Sequence, residues 1–144
     1  MLRAREEYRE WLIDCALAIK WAQGQKEVIP ERVSFLGTGQ GGSASLLLGS
    51  IYRGRGVRCV AADEPFMVDF PLSKIMQPEW APQLCEGVAT DEWRALGFID
   101  TISHARRLTV PVMLTAGGDD TSCPAALIKS LFDRLPATKM YCYL

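Results

Sequence analysis

The 144-residue sequence has a single histidine, no C-x-x-C cysteine pair and no excess of charge of either sign. No cysteine lies near His104 in the sequence, so a zinc site, and a bound metal in general, is not expected. The 16 basic and 17 acidic residues give a net charge of −1. Such a balance argues against nucleic acid or an anionic membrane as a partner.

Long apolar runs are also missing. No stretch approaches the about 20 apolar residues of a membrane-spanning helix. The first ten residues, MLRAREEYRE, are too charged for a signal peptide. The five cysteines, an odd number, are expected to be buried reduced thiols. We therefore expect a cytoplasmic protein without membrane association, folded as one domain over residues 1–144.

The most informative stretch is an apolar strand that ends in a glycine-rich turn. Val33 to Leu36 lead into Gly-Thr-Gly-Gln-Gly-Gly, and small residues and leucines follow from Ser43 to Tyr52. This order predicts a buried strand, a tight turn and a helix over residues 40–52.

Three interpretations fit this turn. The nucleophile elbow, G-x-S-x-G, holds a serine above the sheet, and Gly39 stands at the serine position here. The dinucleotide fingerprint, G-x-G-x-x-G, is matched by Gly37, Gly39 and Gly42, and Asp63 lies 21 residues beyond Gly42 as the ribose-binding acid. The third interpretation is a strand-to-helix turn that simply needs glycines. The motif alone does not decide among them.

The rest of the chain alternates helices and strands, which predicts an α/β fold with a parallel sheet. The predicted helices are 6–23 and one through residues 126–135, and the predicted further strands are 57–62, 110–116 and 139–144. Residues 64–90 hold four prolines and no clear apolar period. They predict a lid-like excursion with one short helix, with an ordinary packed loop as the alternative, before a helix through Trp93 and Ile99.

The order of these segments resembles the acetyl xylan esterase / cephalosporin C deacetylase family of α/β-hydrolases, from about Tyr8 to Tyr143. The motifs that carry the resemblance are PERV (30–33), ADEPF (62–66), DF (69–70), FID (98–100), VPVM (110–113) and GGDDTSCP (117–124). The resemblance implies the C-terminal portion of an α/β-hydrolase, a partial fold with about four parallel strands and crossover helices. It also implies an acetylated sugar or other small ester as ligand, and no cofactor.

Three positions of the family's site fall on this sequence. Asp120 matches the triad acid, which orients a histidine, although a helix cap or turn carboxylate is the alternative for it. Gly39 stands at the nucleophile position, and Gln40 at the residue whose backbone N–H binds the oxyanion.

Three departures from the family oppose catalysis. Gly39 has no hydroxyl, and the family's histidine follows the last strand, whereas this sequence ends at Leu144. The resemblance also places the family's other oxyanion donor on the N-terminal half of the fold, which this sequence does not contain. His104 precedes the third strand and is expected to have a packing role. We therefore expect a non-catalytic or incomplete esterase domain. A dinucleotide- or phosphate-binding Rossmann-like module that uses Gly37–Gly42 is the alternative, and an esterase subunit completed by another chain is a third option.

The predicted topology also indicates association. Successive right-handed crossovers place the three helical connections on one face of the sheet. The strands are nevertheless apolar on both faces, and the first strand, residues 32–37, forms an unprotected edge. A homo-oligomer or a partner chain is therefore expected to cover this face or edge.

Overall fold

The structure, a computed structural model, describes residues 2–85 and 87–144. One or more helices precede each strand along the chain. The elements are α1 (Leu2–Gln23), β1 (Val33–Thr38), α2 (Gln40–Ile51), β2 (Val57–Asp63), α3 (Phe70–Met76), α4 (Ala81–Cys85), α5 (Thr90–Leu96), α6 (Thr101–His104), β3 (Val112–Ala116), α7 (Ala125–Arg134) and β4 (Lys139–Tyr143).

The four strands form one parallel sheet in the order β1-β2-β3-β4. Val60 of β2 pairs with Val112 of β3, and Leu114 of β3 pairs with Tyr141 of β4. The predicted α/β fold with four parallel strands is confirmed. Because the strand order follows the chain order, the first and last strands are the two edges of the described sheet.

The helices cover one face of this sheet. α2 packs on β1 and β2, α7 packs on β3 and β4, and α6 lies between α2 and α7. The largest fully buried side chains of the core are Phe70, Leu46, Leu47, Leu96, Leu108, Leu114, Leu127, Ile128, Leu131, Val60 and Val68. The three connections therefore lie on the same side, as right-handed crossovers in one direction require.

The opposite face of the sheet is open. Leu36, Ala61, Met113 and Met140 pair in one row across the four strands. Leu36 is 78% exposed and Met140 is 51% exposed. The first strand is thus exposed on one of its faces, as the predicted topology implies for a single chain, because nothing in the described chain packs on that side of β1.

The same open face explains why one cysteine is exposed. All five cysteines are free thiols, but only Cys85 and Cys123 are buried. Cys59 is exposed, and its thiol lies beside the Ser34 hydroxyl, its partner in the neighbouring strand. The burial expected for every cysteine fails there because β2 presents Cys59 to the open face.

Residues 64–85 pack into the core instead of looping away from it. They contain two short helices, α3 and α4, where one was predicted. Val68, Phe70, Trp80 and Ala81 are all at most 6% exposed. Helix α3 begins with a proline in its first turn, where a missing backbone N–H costs little.

Among the described residues, no helix has both the length and the apolar character needed to cross a membrane.

Candidate active site

The turn between β1 and α2 has the backbone geometry that presents a side chain above a sheet. Gly39 is the N-cap of α2, with φ 56° and ψ −119°. Its N–H donates to Asp63 O at 2.9 Å, and its carbonyl accepts from Ser43 N at 3.1 Å and from Phe66 N at 3.0 Å. A Cβ placed on Gly39 would have no heavy atom within 4 Å. The position is therefore open to a side chain but carries none.

Two other glycines let the helix approach the strand. A Cβ on Gly37 would lie 2.3 Å from the carbonyl carbon of Gly41, and a Cβ on Gly42 would lie 3.0 Å from Gly37 O. A Cβ on Gly41, by contrast, would meet nothing within 4 Å. The first helical residue is Gln40, so its N–H has no acceptor within the helix and lies at the positive end of the helix dipole.

The loop after β3 holds Asp120 in a tight turn. Asp120 Oδ1 accepts from the backbone N–H groups of Ser122 and Cys123, both at 2.8 Å. This is the turn-carboxylate arrangement that the sequence left open as an alternative to a catalytic role. Oδ2 has no hydrogen-bond partner among the described residues, so it is available to a further donor.

Cys123 in the same loop is a buried thiol. Burial, together with the nearby carboxylates of Asp120 and Glu64, raises the pKa of this thiol to about 12. Since the thiolate is the reactive form of cysteine, Cys123 does not offer a nucleophile in place of the missing serine.

Residues 66–80 connect the turn to this loop. Phe66 N–H donates to Gly39 O, and the Ser43 hydroxyl donates to Phe66 O. At the other end, the Trp80 indole N–H donates to Ser122 O at 2.9 Å. These contacts could not be expected from the sequence, since Trp80 has no motif around it and lies 42 residues from Ser122.

Glu79 reinforces the same contact. Its two carboxylate oxygens accept from the hydroxyls of Thr121 and Ser122, each at 3.0 Å. The loop that holds Asp120 is thereby fixed from two sides, by its own backbone and by residues 79–80.

Comparisons with known proteins decide the family. A family model for acetyl xylan esterase (AXE1) matches residues 2–143. The chain belongs to the acetyl xylan esterase family. None of the curated protein sequences matches it.

Solved structures agree with this family at the level of the fold. Acetyl xylan esterase 1 from Thermoanaerobacterium sp. JW/SL YS485 is 22% identical with a TM-score of 0.77, over 92% of this chain and 44% of that one. The acetyl xylan esterase from Paenibacillus sp. R4 is 20% identical with a TM-score of 0.81, over 94% and 46%. Est1E from Butyrivibrio proteoclasticus, solved with ferulic acid, is 16% identical with a TM-score of 0.70, over 95% and 58%. The chain thus spans less than half the length of the two acetyl xylan esterases.

The sheet of this acetyl xylan esterase-family domain also argues against the dinucleotide alternative. Dinucleotides bind in open α/β sheets where the strand order reverses, whereas the described order β1-β2-β3-β4 has no reversal. Both carboxylate oxygens of Asp63 are already occupied: the Thr38 hydroxyl donates to one at 3.1 Å, and the Thr115 hydroxyl donates to the other. The predicted ribose-binding acid is therefore part of the sheet's own hydrogen bonding.

His104, the remaining candidate for a functional side chain, makes a structural contact. His104 lies at the end of α6, and its Nε2 is hydrogen-bonded to Phe98 O at 3.0 Å. Burial lowers the pKa of the His104 imidazole. Within the described chain, no three or more His, Cys, Asp or Glu side chains are grouped so as to hold a metal ion.

Proposed function

We propose that this acetyl xylan esterase-family domain does not hydrolyse esters through a serine triad. The observation that carries the proposal is Gly39 at the tip of the β1–α2 turn, with elbow geometry and no side chain. In a triad hydrolase, loss of the nucleophile alone lowers turnover by about a millionfold.

The lack of an imidazole base near Gly39 and Asp120, among the described residues, supports the same proposal. The 144 residues contain one histidine, His104. It lies on α6, before β3, and its ring is hydrogen-bonded to Phe98 O. A serine or cysteine nucleophile needs a base within hydrogen-bond reach, about 3 Å, to take its proton. Asp120 has no such imidazole to orient in the described chain.

The domain keeps two groups that an ester-binding site would use. These are the N–H of Gln40 at the start of α2 and Oδ2 of Asp120, the carboxylate oxygen without a hydrogen-bond partner among the described residues. We propose a small ester as the ligand, an acetylated sugar before others. Family membership and the ferulic acid bound to Est1E support this ligand class.

An assay with p-nitrophenyl acetate tests the proposal. We expect the wild-type chain to hydrolyse it no faster than a heat-denatured sample. Gly39→Ser is expected to fold, with strain of about 1–3 kcal/mol from the positive φ but no overlap, since its Cβ would meet no heavy atom within 4 Å. The variant is expected to remain inactive because no base takes the hydroxyl proton. Gly41→Ser, at an equally open position outside the turn tip, is the matched control. Hydrolysis by the wild type that Asp120→Ala abolishes would contradict the proposal.

A further inference from the structure

Residues 64–85 are fixed at both ends of the candidate site, at Gly39 through Phe66 and at Ser122 through Trp80. The backbone at the start of this segment is strained. Glu64, Met67 and Asp69 have φ values of 43°, 55° and 56°, in the left-handed region that residues other than glycine avoid. Such conformations persist only where the surrounding structure imposes them.

A buried carboxylate imposes the conformation from outside the segment. Asp100 is 2% exposed. Its Oδ1 accepts from the backbone N–H of Asp69 at 2.9 Å, and its Oδ2 accepts from the N–H of Phe70 at 2.9 Å. Oδ1 also accepts from Ile102 N at 3.1 Å, which caps α6. One side chain therefore satisfies three backbone donors on two segments that are about 30 residues apart.

A second buried carboxylate ties the same turn to α7. Asp69 is 3% exposed, and its Oδ1 accepts from Leu72 N at 3.2 Å, which caps α3. Its Oδ2 accepts from the Ser130 hydroxyl at 2.6 Å and lies 3.8 Å from the Arg134 guanidinium. The polar groups of the strained turn thus take their partners from Asp100, which caps α6, and from Ser130 and Arg134 of α7.

We propose that Asp69 and Asp100 form a carboxylate latch that closes residues 64–85 onto the sheet, and that this segment opens as a single unit while the sheet stays folded. The strain stored at residues 64–69 favours opening, and the three hydrogen bonds through which the two carboxylates join this segment to Asp100 and to Ser130 of α7 oppose it. Opening frees both contacts with the candidate site, at Gly39 and at Ser122.

Asp100→Asn is the sharpest perturbation of the latch. The carboxamide keeps the size of the side chain, but its NH₂ group can only donate. Whichever way the amide is turned, one of the N–H groups of Asp69 and Phe70 then faces a donor instead of an acceptor. The change affects the latch without creating a cavity.

Native-state hydrogen exchange followed by NMR measures the opening. We expect the amides of Asp69 and Phe70, and the indole N–H of Trp80, to exchange about 10- to 100-fold faster in Asp100→Asn. Trp80 is included because opening as a unit must also expose it, whereas a local loss of one hydrogen bond does not. The amides of Val60 and Val112, which bond to Pro111 O and Thr138 O in the sheet, are expected to be unchanged.

Asp133→Asn is the matched control, since it removes a carboxylate from the surface of α7, where Asp133 pairs with Lys129. If Asp100→Asn does not fold, Ser130→Ala tests the latch by removing only the hydroxyl that donates to Asp69. Equal acceleration of the sheet amides and of residues 64–85 would overturn the proposal, because Asp100 would then affect only global stability. Unchanged exchange at Trp80 would overturn it too, because residues 64–85 would not open together.

Discussion

Replacing Gly37 by alanine tests the closeness of the helix to the strand at the candidate site. The added Cβ would lie 2.3 Å from both the carbonyl carbon and the oxygen of Gly41, and 2.8 Å from Gly42 N. Carbon contacts in proteins have an optimum near about 3.5–4.0 Å, so α2 and β1 must move apart. These neighbours are main-chain atoms, and no side-chain rotation relieves the overlap.

The expected cost is large for a single methyl group. Overpacking a well-packed interior destabilises proteins by about 1–3 kcal/mol and sometimes more. Here the displaced atoms belong to the first turn of α2. The same helix carries Leu46 and Leu47 into the core, where both are at most 1% exposed. We therefore expect Gly37→Ala to lower the free energy of unfolding by about 3 kcal/mol, at the upper end of that range.

Gly41→Ala is the control, because it adds the same methyl group four residues further on, where nothing lies within 4 Å. Alanine in place of a helical glycine stabilises by up to about 1 kcal/mol, so the control is expected to be neutral or slightly stabilised. Urea unfolding followed by tryptophan fluorescence measures both variants, with a midpoint about 1–3 M lower for Gly37→Ala. A Gly37→Ala variant as stable as the Gly41→Ala variant would refute the close packing of α2 on β1.

Two further predictions follow. Burial raises the pKa of Asp100 to about 6, with the nearby Asp69 carboxylate acting in the same direction, although three backbone N–H groups oppose them. The folded chain then holds this proton where the unfolded chain, with a pKa of about 4, has lost it, so up to about 3 kcal/mol of stability present below pH 4 is lost as the pH rises through 6. Urea titrations at about pH 4 and about pH 7.5 should show the wild type losing stability relative to Asp100→Asn as the pH rises. We also propose that the open sheet face, with Leu36 78% and Met140 51% exposed, is covered by a second copy or a partner chain. Sedimentation equilibrium at micromolar concentration should detect a dimer or larger species, and a monomer that binds no hydrophobic dye would contradict this.

The fold was predictable because its signals are local. Each strand reads as a short apolar run followed by a turn, and each helix as a longer periodic segment, so their alternation predicts the parallel sheet. The glycine turn was predictable for the same reason, since Gly37 to Gly42 are consecutive. Burial was harder to predict. β1 has the composition of an internal strand. Its position at an edge followed from the predicted topology, since composition does not reveal which neighbours a strand has.

The contacts around the candidate site were not predictable from patterns. Asp100 follows Phe98-Ile99, which looks like the end of a helix, and its partners lie 30 and 31 residues away. Asp69 occupies a left-handed conformation that no local rule assigns to it. Asp100 accepts from backbone N–H groups of another segment, and Asp69 accepts from Leu72 N and from the Ser130 hydroxyl. These hydrogen bonds offset the cost of burying the two carboxylates, which would be large without partners. The motifs DF and FID carried the family resemblance, but only the structure shows that they contact each other.

The elbow geometry at Gly39 persists without a nucleophile because its surroundings impose it. Asp63 O, Ser43 N and Phe66 N fix both of its backbone polar groups, and the Gly37–Gly41 contact brings the helix against the strand. A serine held at φ 56° and ψ −119° would carry strain of about 1–3 kcal/mol, whereas glycine adopts φ > 0 at little cost. Glycine thus removes the strain together with the hydroxyl, and the turn remains as a means of joining a strand to a tightly packed helix. An elbow of this shape is therefore evidence of how the chain packs, and it becomes evidence of catalysis only where the hydroxyl and a base accompany it.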